Sequence, residues 1–277
     1  MEVTRLGAGV DANHRLAHEA IERTVSTLAK YRAAMDEFQV GSARLIATSA
    51  VRDAGNGQEF LRAASTVVGV PAEMLSGIQE ANLAYKGATK GLGPVEGRDV
   101  VVDIGGGSTE VVLNVSGGIQ AVSLDIGCVR VSERFFMHDP PDLDEITSAD
   151  ELVTREVGRA MDLISNLGEP CPGDRLIGLA GTVSTLSALE QGLDAYEYDR
   201  LHHTKLTREA VERWYETLRR EPSNQRAQRV GIPSGREDVI VGGVLILYRV
   251  MKCLGFESLI TSESDILDGT VSELLAL

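Results

Sequence analysis

Residues 100–113 read VVVDIGGGSTEVVL: a β-branched run closes on an Asp, three consecutive glycines follow, then Ser-Thr-Glu, then a second apolar run. β-Branched residues are stiff and suit a pleated strand, whereas glycine enters positive φ without a steric penalty. The pattern predicts two strands joined by a loop whose backbone comes close to something else. An ordinary hairpin turns in two residues with one glycine. Consecutive Gly105, Gly106 and Gly107 instead suit a concave row of backbone N–H groups that holds an anion, and Ser108 and Thr109 add hydroxyls. Asp103 and Glu110 repel phosphate directly. They fit as ligands of a magnesium or manganese ion that bridges to it, or as orienters of water. The plain alternative is a hairpin that uses its glycines only to turn.

Charge narrows the partners. With 27 basic and 41 acidic residues the net charge is −14, which argues against a nucleic-acid surface and against long-range steering of a polyanion. Phosphate must then be handled by backbone amides, a few local arginines and a divalent metal. The apolar runs are too short to cross a bilayer, and no secretion signal opens the chain, so no membrane partner is expected. Cys128, Cys171 and Cys253 are scattered, which fits a reducing cytoplasm rather than a disulfide framework.

The 277 residues allow one large domain or two moderate ones. EVTRLG reads as a short strand and residues 14–38 as an amphipathic helix, with Leu16, Ala20, Ile21, Val25, Leu28 and Ala29 at helical spacing. ARLIATSAV (43–51) reads as a buried strand, 59–68 as a helix ended by Gly69, 72–76 as a strand and 78–92 as a helix. GLGPVEG (91–97) punctuates the chain. DVVVDI, TEVVLNV and GIQAVSLDI follow as three strands, the last two joined at Ser116-Gly117-Gly118. Then come helices near 129–137 and 147–167, a strand at 174–181 running into a helix near Thr182, two strongly helical segments, a strand at 258–264 and a final helix. The order after residue 97 is that of a mixed sheet with helices on its faces. The order before it is the same without an opening hairpin. Residues 1–96 and 97–277 are therefore expected to be two copies of one α/β unit, the first incomplete.

Several stretches resemble, in order and spacing, the exopolyphosphatase and guanosine-pentaphosphate phosphatase (Ppx/GppA) family. These are VVDIGGGSTEVVL, ATSAVRDAGN (47–56), LSGIQEANLAY (75–85), SLDIGCVRVSERF (123–135) and LAGTVSTLSAL (179–189). The resemblance implies two ribonuclease-H-like domains of the actin-like superfamily around a cleft. It also implies an Asp-x-Gly-Thr/Ser-Asn-Ser loop on a first hairpin, and no such stretch occurs in this sequence. Arg52 would face the phosphate cleft, with Thr48 beside it and Asn56 following, and Glu80 would be the catalytic base. Read from the residues alone, Arg52 is either a bidentate phosphate ligand or a surface partner of Asp53, and Glu80 is a helix-surface acid. Gly181-Thr182 offers a helix N-terminus to an anion or a simple N-cap. Arg130 and Arg134 form a phosphate-facing or a solvated stripe.

The activity so implied is metal-dependent hydrolysis of a terminal phosphoanhydride, in inorganic polyphosphate or guanosine pentaphosphate. Two alternatives stand beside it: a non-catalytic binder of polyphosphate or guanosine tetra- or pentaphosphate, and an ATP-using kinase or ATPase of the same superfamily. Many family members are dimers, so a homodimer is a further expectation.

Overall fold

The computed structural model describes residues 2–115, 118–164, 167–168 and 170–276. Among the described residues, eight strands form two sheets. β1 (Leu45–Ala47) and β2 (Ala72–Met74) pair in parallel. β3 (Asp99–Ile104), β4 (Thr109–Val115), β5 (Gly118–Leu124), β6 (Arg175–Leu179), β7 (Lys205–Thr207) and β8 (Ser258–Thr261) make a six-stranded sheet in the order β5-β4-β3-β6-β8-β7. The β3–β6 and β6–β8 neighbours are parallel and the remaining pairs antiparallel. This is the mixed α/β sheet that the strand pattern predicts. Of the expected Ser116-Gly117-Gly118 turn, Ser116 and Gly117 lie outside the described residues.

Side-chain alternation along β3 sorts the core into two faces. Val100, Val102 and Ile104 point to one face, where the helices Leu143–Leu163, Ala180–Gln191, Arg208–Leu218 and Ile240–Cys253 bury them in the main core. Val101, with Val112, Ile177 and Leu179, points to the other face and meets Ala81, Ala84 and Ala88 of the helix Gly77–Ala88. The odd-numbered Asp103 therefore shares its face with that helix. The small alanines let the helix lie close to the strands. Its start is fixed by a capping box, with Ser76 and Gln79 satisfying each other's backbone N–H.

The last helix, Ile266–Leu275, crosses the same helix at backbone contact. A Cβ on Gly87 would stand 1.8 Å from the Asp265 carbonyl oxygen, and one on Gly269 would stand 2.0 Å from that of Leu83. Glu273 adds ion pairs to Lys86 at 2.5 Å and to Arg44 at 3.0 Å. The C-terminal helix thus ties β1 and the helix Gly77–Ala88 together.

Three local expectations are corrected. EVTRLG is not a strand: Arg5 sits at φ 53, which interrupts an extended chain, and its guanidinium holds Asp238 and the Gly235 carbonyl. The segment 43–51 is strand only over Leu45–Ala47. Thr48 then accepts the N–H groups of Val51 and Arg52 on its carbonyl, opening a short helical turn, Ser49–Arg52. The first of the two segments read as strongly helical, LTREAVERWYETLRR (206–220), begins only at Arg208, because Lys205–Thr207 first adds an edge strand to β8 and Thr207 then caps the helix.

Replacing Gly87 with Ala is expected to lower unfolding free energy by about 1–3 kcal/mol through overpacking. Gly158, in the helix Leu143–Leu163 with open space at its Cβ position, is the control. Gly158→Ala should instead stabilise by roughly 0.5–1 kcal/mol. Urea denaturation midpoints of the two variants decide the point.

Candidate active site

The β3–β4 pairing places Asp103 directly opposite Glu110, and the β4–β5 pairing places Ser123 opposite Glu110. All three share the face covered by the helix Gly77–Ala88. Contact between Gly77 and Ser123 is so close that a Cβ on Gly77 would stand 2.4 Å from the Ser123 Cβ. One turn later that helix delivers Glu80 to the ends of the strands. The three carboxylates are deeply buried: Glu80 is 8 % exposed, Asp103 9 % and Glu110 1 %.

Their titration reflects this crowding. Burial, followed by the neighbouring Glu80 and Asp265 charges, pushes Asp103 up to about 7. Burial, then Glu80 and Asp103, push Glu110 up to about 8, partly offset by hydrogen bonds from Ser123 and Ser108. The Ser123 hydroxyl donates to Glu110 Oε1 at 2.6 Å. Glu80 is also raised by burial, against the pull of Arg52, whose Nη1 stands 3.4 Å from Glu80 Oε2, and of a hydrogen bond with Thr48. Arg52 also donates to the Leu75 carbonyl at 3.0 Å. Thr48, Arg52, Glu80, Asp103 and Glu110 are therefore brought together.

The glycine loop is oriented by its carbonyls. The N–H of Gly105 closes the turn onto the Ser108 carbonyl at 3.0 Å. The Gly105 carbonyl accepts Cys128 N–H, the Gly106 carbonyl accepts those of Val129 and Arg130, and Arg130 Nε donates to the Gly107 carbonyl at 2.7 Å. In a trans peptide the N–H points opposite to the carbonyl of the preceding residue. Tethering these carbonyls to the helix Cys128–Phe135 thus turns the N–H groups of Gly106, Gly107 and Ser108 the other way. Among the described residues none of the three has a protein acceptor, which leaves a row of donors for an anion. Gly127 must lack a side chain, because its Cβ would stand 2.4 Å from the Gly106 carbonyl carbon.

Arg130 also grips Asp11 at 2.9 Å and Asp53, while Arg134 takes Asp11 at 2.6 Å. Both arginines are thus paired with acids, Arg130 largely buried and Arg134 on the solvated side. Arg130 bolts the loop to the N-terminal part of the chain, and Arg134 ties the helix Cys128–Phe135 to the same Asp11.

Two expected phosphate ligands are spent elsewhere. Asn56 accepts Leu16 N–H at 2.8 Å and donates to the Leu16 carbonyl at 3.0 Å, so its amide clamps the chain ahead of the helix His18–Glu37. Thr109 donates its hydroxyl to the Ile126 carbonyl at 2.7 Å and is fully buried. Gly181 and Thr182 open the helix Ala180–Gln191 just past Leu179, which pairs with Asp103, and line a cavity together with Ile104, Gly105 and Gly106. Ser123 and Asp265 complete the acidic centre without having been singled out from sequence. For Ser123 the signal was its strand register, and for Asp265 the spacing of an N-cap, whose carboxylate accepts Leu267 N–H.

The donor set fits the implied cation. It consists of paired oxygen ligands with no sulfur or imidazole, and the carboxylates have no cation against Asp103 or Glu110 among the described residues. Magnesium is held in this way, by one or two carboxylates plus substrate phosphate.

Buried carboxylates beside a glycine loop on a mixed sheet are the arrangement of an α/β protein suited to an oxyanion. Matches to known proteins agree. The model of the Ppx/GppA phosphatase family matches residues 2–276. Exopolyphosphatase 2 of Mycobacterium tuberculosis is 37% identical over 282 residues, covering 98% of this chain and 87% of that protein. A crystal structure of an exopolyphosphatase-like protein superposes with a TM-score of 0.93 at 32% identity, covering 99% of this chain and 89% of that one. The Aquifex aeolicus Ppx/GppA family member gives 0.81 at 33% identity, covering 99% and 88%. The chain belongs to the Ppx/GppA phosphatase family.

Folding raises both Asp103 and Glu110 above their unfolded values of 3.8 and 4.5. Each is therefore neutral without penalty at low pH and destabilises the metal-free fold progressively as pH rises toward 7–8, where the folded groups ionise. In chelator, the thermal midpoint is expected to fall between pH 5 and pH 8.5. Glu110→Gln should remove on the order of 1–2 kcal/mol of that loss. Equal slopes in variant and wild type would contradict the assigned burial.

Proposed function

We propose that this protein hydrolyses the terminal phosphoanhydride of inorganic polyphosphate, releasing orthophosphate. The observation that carries the reading is the convergence of three buried carboxylates with Arg52, beside three outward-facing loop amides. Its similarity to an exopolyphosphatase supports the choice of substrate.

In this reading Glu80 accepts the proton of the attacking water. Burial makes its carboxylate a stronger base than an exposed one, and Arg52 keeps it ionised and aimed. The amides of Gly106, Gly107 and Ser108 hold the oxygens of the transferring phosphoryl group and stabilise charge that develops there. Asp103 and Glu110 would hold a magnesium or manganese ion, which supplies Lewis-acid neutralisation of the phosphoryl oxygens when bound. Ser123 and Ser108 fix the Glu110 carboxylate by hydrogen bonds, so one ligand direction is set before anything binds. No covalent intermediate is required, since the nearest thiol, Cys128, is pushed up to about 11 by burial and stays protonated.

Phosphate release from polyphosphate with added magnesium is the test. Glu80→Gln should lower turnover by at least about a hundredfold while leaving the fold and polyphosphate binding intact. Wild-type rates in that variant would remove Glu80 as the base. Parallel assays with guanosine pentaphosphate and ATP separate the substrate classes, and binding of polyphosphate without release by the wild type would favour the non-catalytic regulator.

A further inference from the structure

The turn at His202 and His203 carries two costs that the acidic centre does not require. His203 stands at φ 64, a left-handed backbone that a residue with a Cβ adopts rarely and under strain. Its Nε2 is, among the described residues, the one buried side-chain polar atom without a hydrogen-bond partner. Its ring lies on that of His202, with centroids 3.7 Å apart, and His202 lies in turn on Tyr198 at 4.9 Å. Two imidazoles in such contact repel each other once both carry a proton.

What the turn gains is a grip on the chain between β8 and the last helix. His203 N–H donates to the Thr261 carbonyl at 2.7 Å, and Thr261 N–H donates to the Thr204 carbonyl at 2.8 Å. Glu263 N–H donates to His202 Nδ1 at 3.1 Å, so this nitrogen is the one without a proton. Two residues further on, Asp265 caps the last helix, and its charge reaches Asp103.

The groups around the pair keep it neutral. Burial lowers His202 and outweighs the pull of Asp268 on the last helix and of Asp199 on its own turn. Burial also lowers His203, and His202 and Arg175 of β6 add to the effect. The Glu263 carboxylate accepts the Ser184 hydroxyl at 2.5 Å. Gly91 closes the other side, where a Cβ would stand 3.6 Å from His203 Cε1. His138 is the contrast: exposed beside Glu145 and Asp142, it is raised by their charge. Since folding takes His202 and His203 below 6.5, their contribution is complete above that pH and is lost as pH falls below it. Asp103 and Glu110 act in the opposite direction, so the two effects are separable.

We propose that His202 and His203 form a pH-sensitive clasp, which holds residues 261–263 while both rings are neutral and lets them go when they are protonated. A proton on His202 Nδ1 turns the acceptor of Glu263 N–H into a second donor. A proton on His203 Nε2 arrives at a buried position with no acceptor. With the hydrogen bond gone, nothing repays the left-handed backbone, and the turn relaxes. The clasp does not depend on the hydrolase reading, and no turnover enters its test.

Hydrogen exchange read by mass spectrometry, from about pH 7.5 to about pH 5 and corrected for the intrinsic rate, tests it. Protection of residues 262–265 should fall about fivefold or more on acidification, the effect of one lost hydrogen bond. The helix Ile240–Cys253 should keep its protection. His202→Asn puts an amide oxygen where Nδ1 stands and should make the protection of 262–265 independent of pH. Constant protection in the wild type overturns the proposal, and so does an equal acid loss in His202→Asn. A parallel loss in the helix Ile240–Cys253 marks global unfolding and overturns it as well. Should His202→Asn fail to fold, His203→Gly decides, because glycine suits the left-handed backbone and removes the second charge. The acid loss should then move to lower pH, and an unmoved loss overturns the clasp.

Discussion

Asp103 and Glu110 face each other across neighbouring strands, on a face sealed by a helix. Like charges directly opposite in a sheet repel, and burial removes the water that would screen them. A chain does not keep this arrangement unless the rest of the fold holds it in place. Here that hold comes from the continuous packing of Val101, Val112, Ile177 and Leu179 against Ala81, Ala84 and Ala88, immediately behind the acids. The same packing brings Glu80 in as a third carboxylate and makes the repulsion worse. The site is therefore held ready for positive charge by apolar contacts that do nothing else. Stability is drawn from the opposite face of the sheet, where the larger core lies.

The second constraint is directional. Glycine supplies freedom, not aim, and a row of three glycines left alone would sample many conformations. Four hydrogen bonds to the loop's carbonyls, three from backbone N–H groups of the helix Cys128–Phe135 and one from Arg130, convert that freedom into one orientation. Arg130 is itself fixed by Asp11 and Asp53. The orientation of the loop amides thus depends on Asp11 and Asp53, which lie 119 and 77 positions from the Arg130 they hold. A loop that looks local is a long-range structure.

This explains what could be read in advance. The strands around the loop and the acids Asp103 and Glu110 flanking its glycines were legible because β-branched runs and glycine turns are short-range signals. Asn56 and Thr109 looked like ligands because their side chains suit phosphate. Whether a polar group is free depends on which backbone passes it, and Leu16 and Ile126 pass these two. Arg130 and Arg134 read as candidate cations, yet both are cancelled by Asp11. Pairing at separations above a hundred residues leaves no periodicity to detect.

Net charge then becomes a clue to how recognition works. A protein at −14 offers a polyanion no long-range attraction, and charges more than a Debye length apart, about 8–10 Å at ordinary ionic strength, are largely screened, so attraction has to be short-ranged. Most of its half-buried arginines are neutralised by their own carboxylates and contribute shape rather than field. Positive potential survives where pairing is weak or absent, at Arg52, whose contact with Glu80 is long at 3.4 Å, and at Arg236. Backbone amides supply the rest, and they carry no net charge. Under the proposed function, selection of phosphate by such a surface would be a matter of fitted donors at contact distance, which reward a tetrahedral oxyanion in the right place and offer little to a diffuse polyanion elsewhere on the molecule.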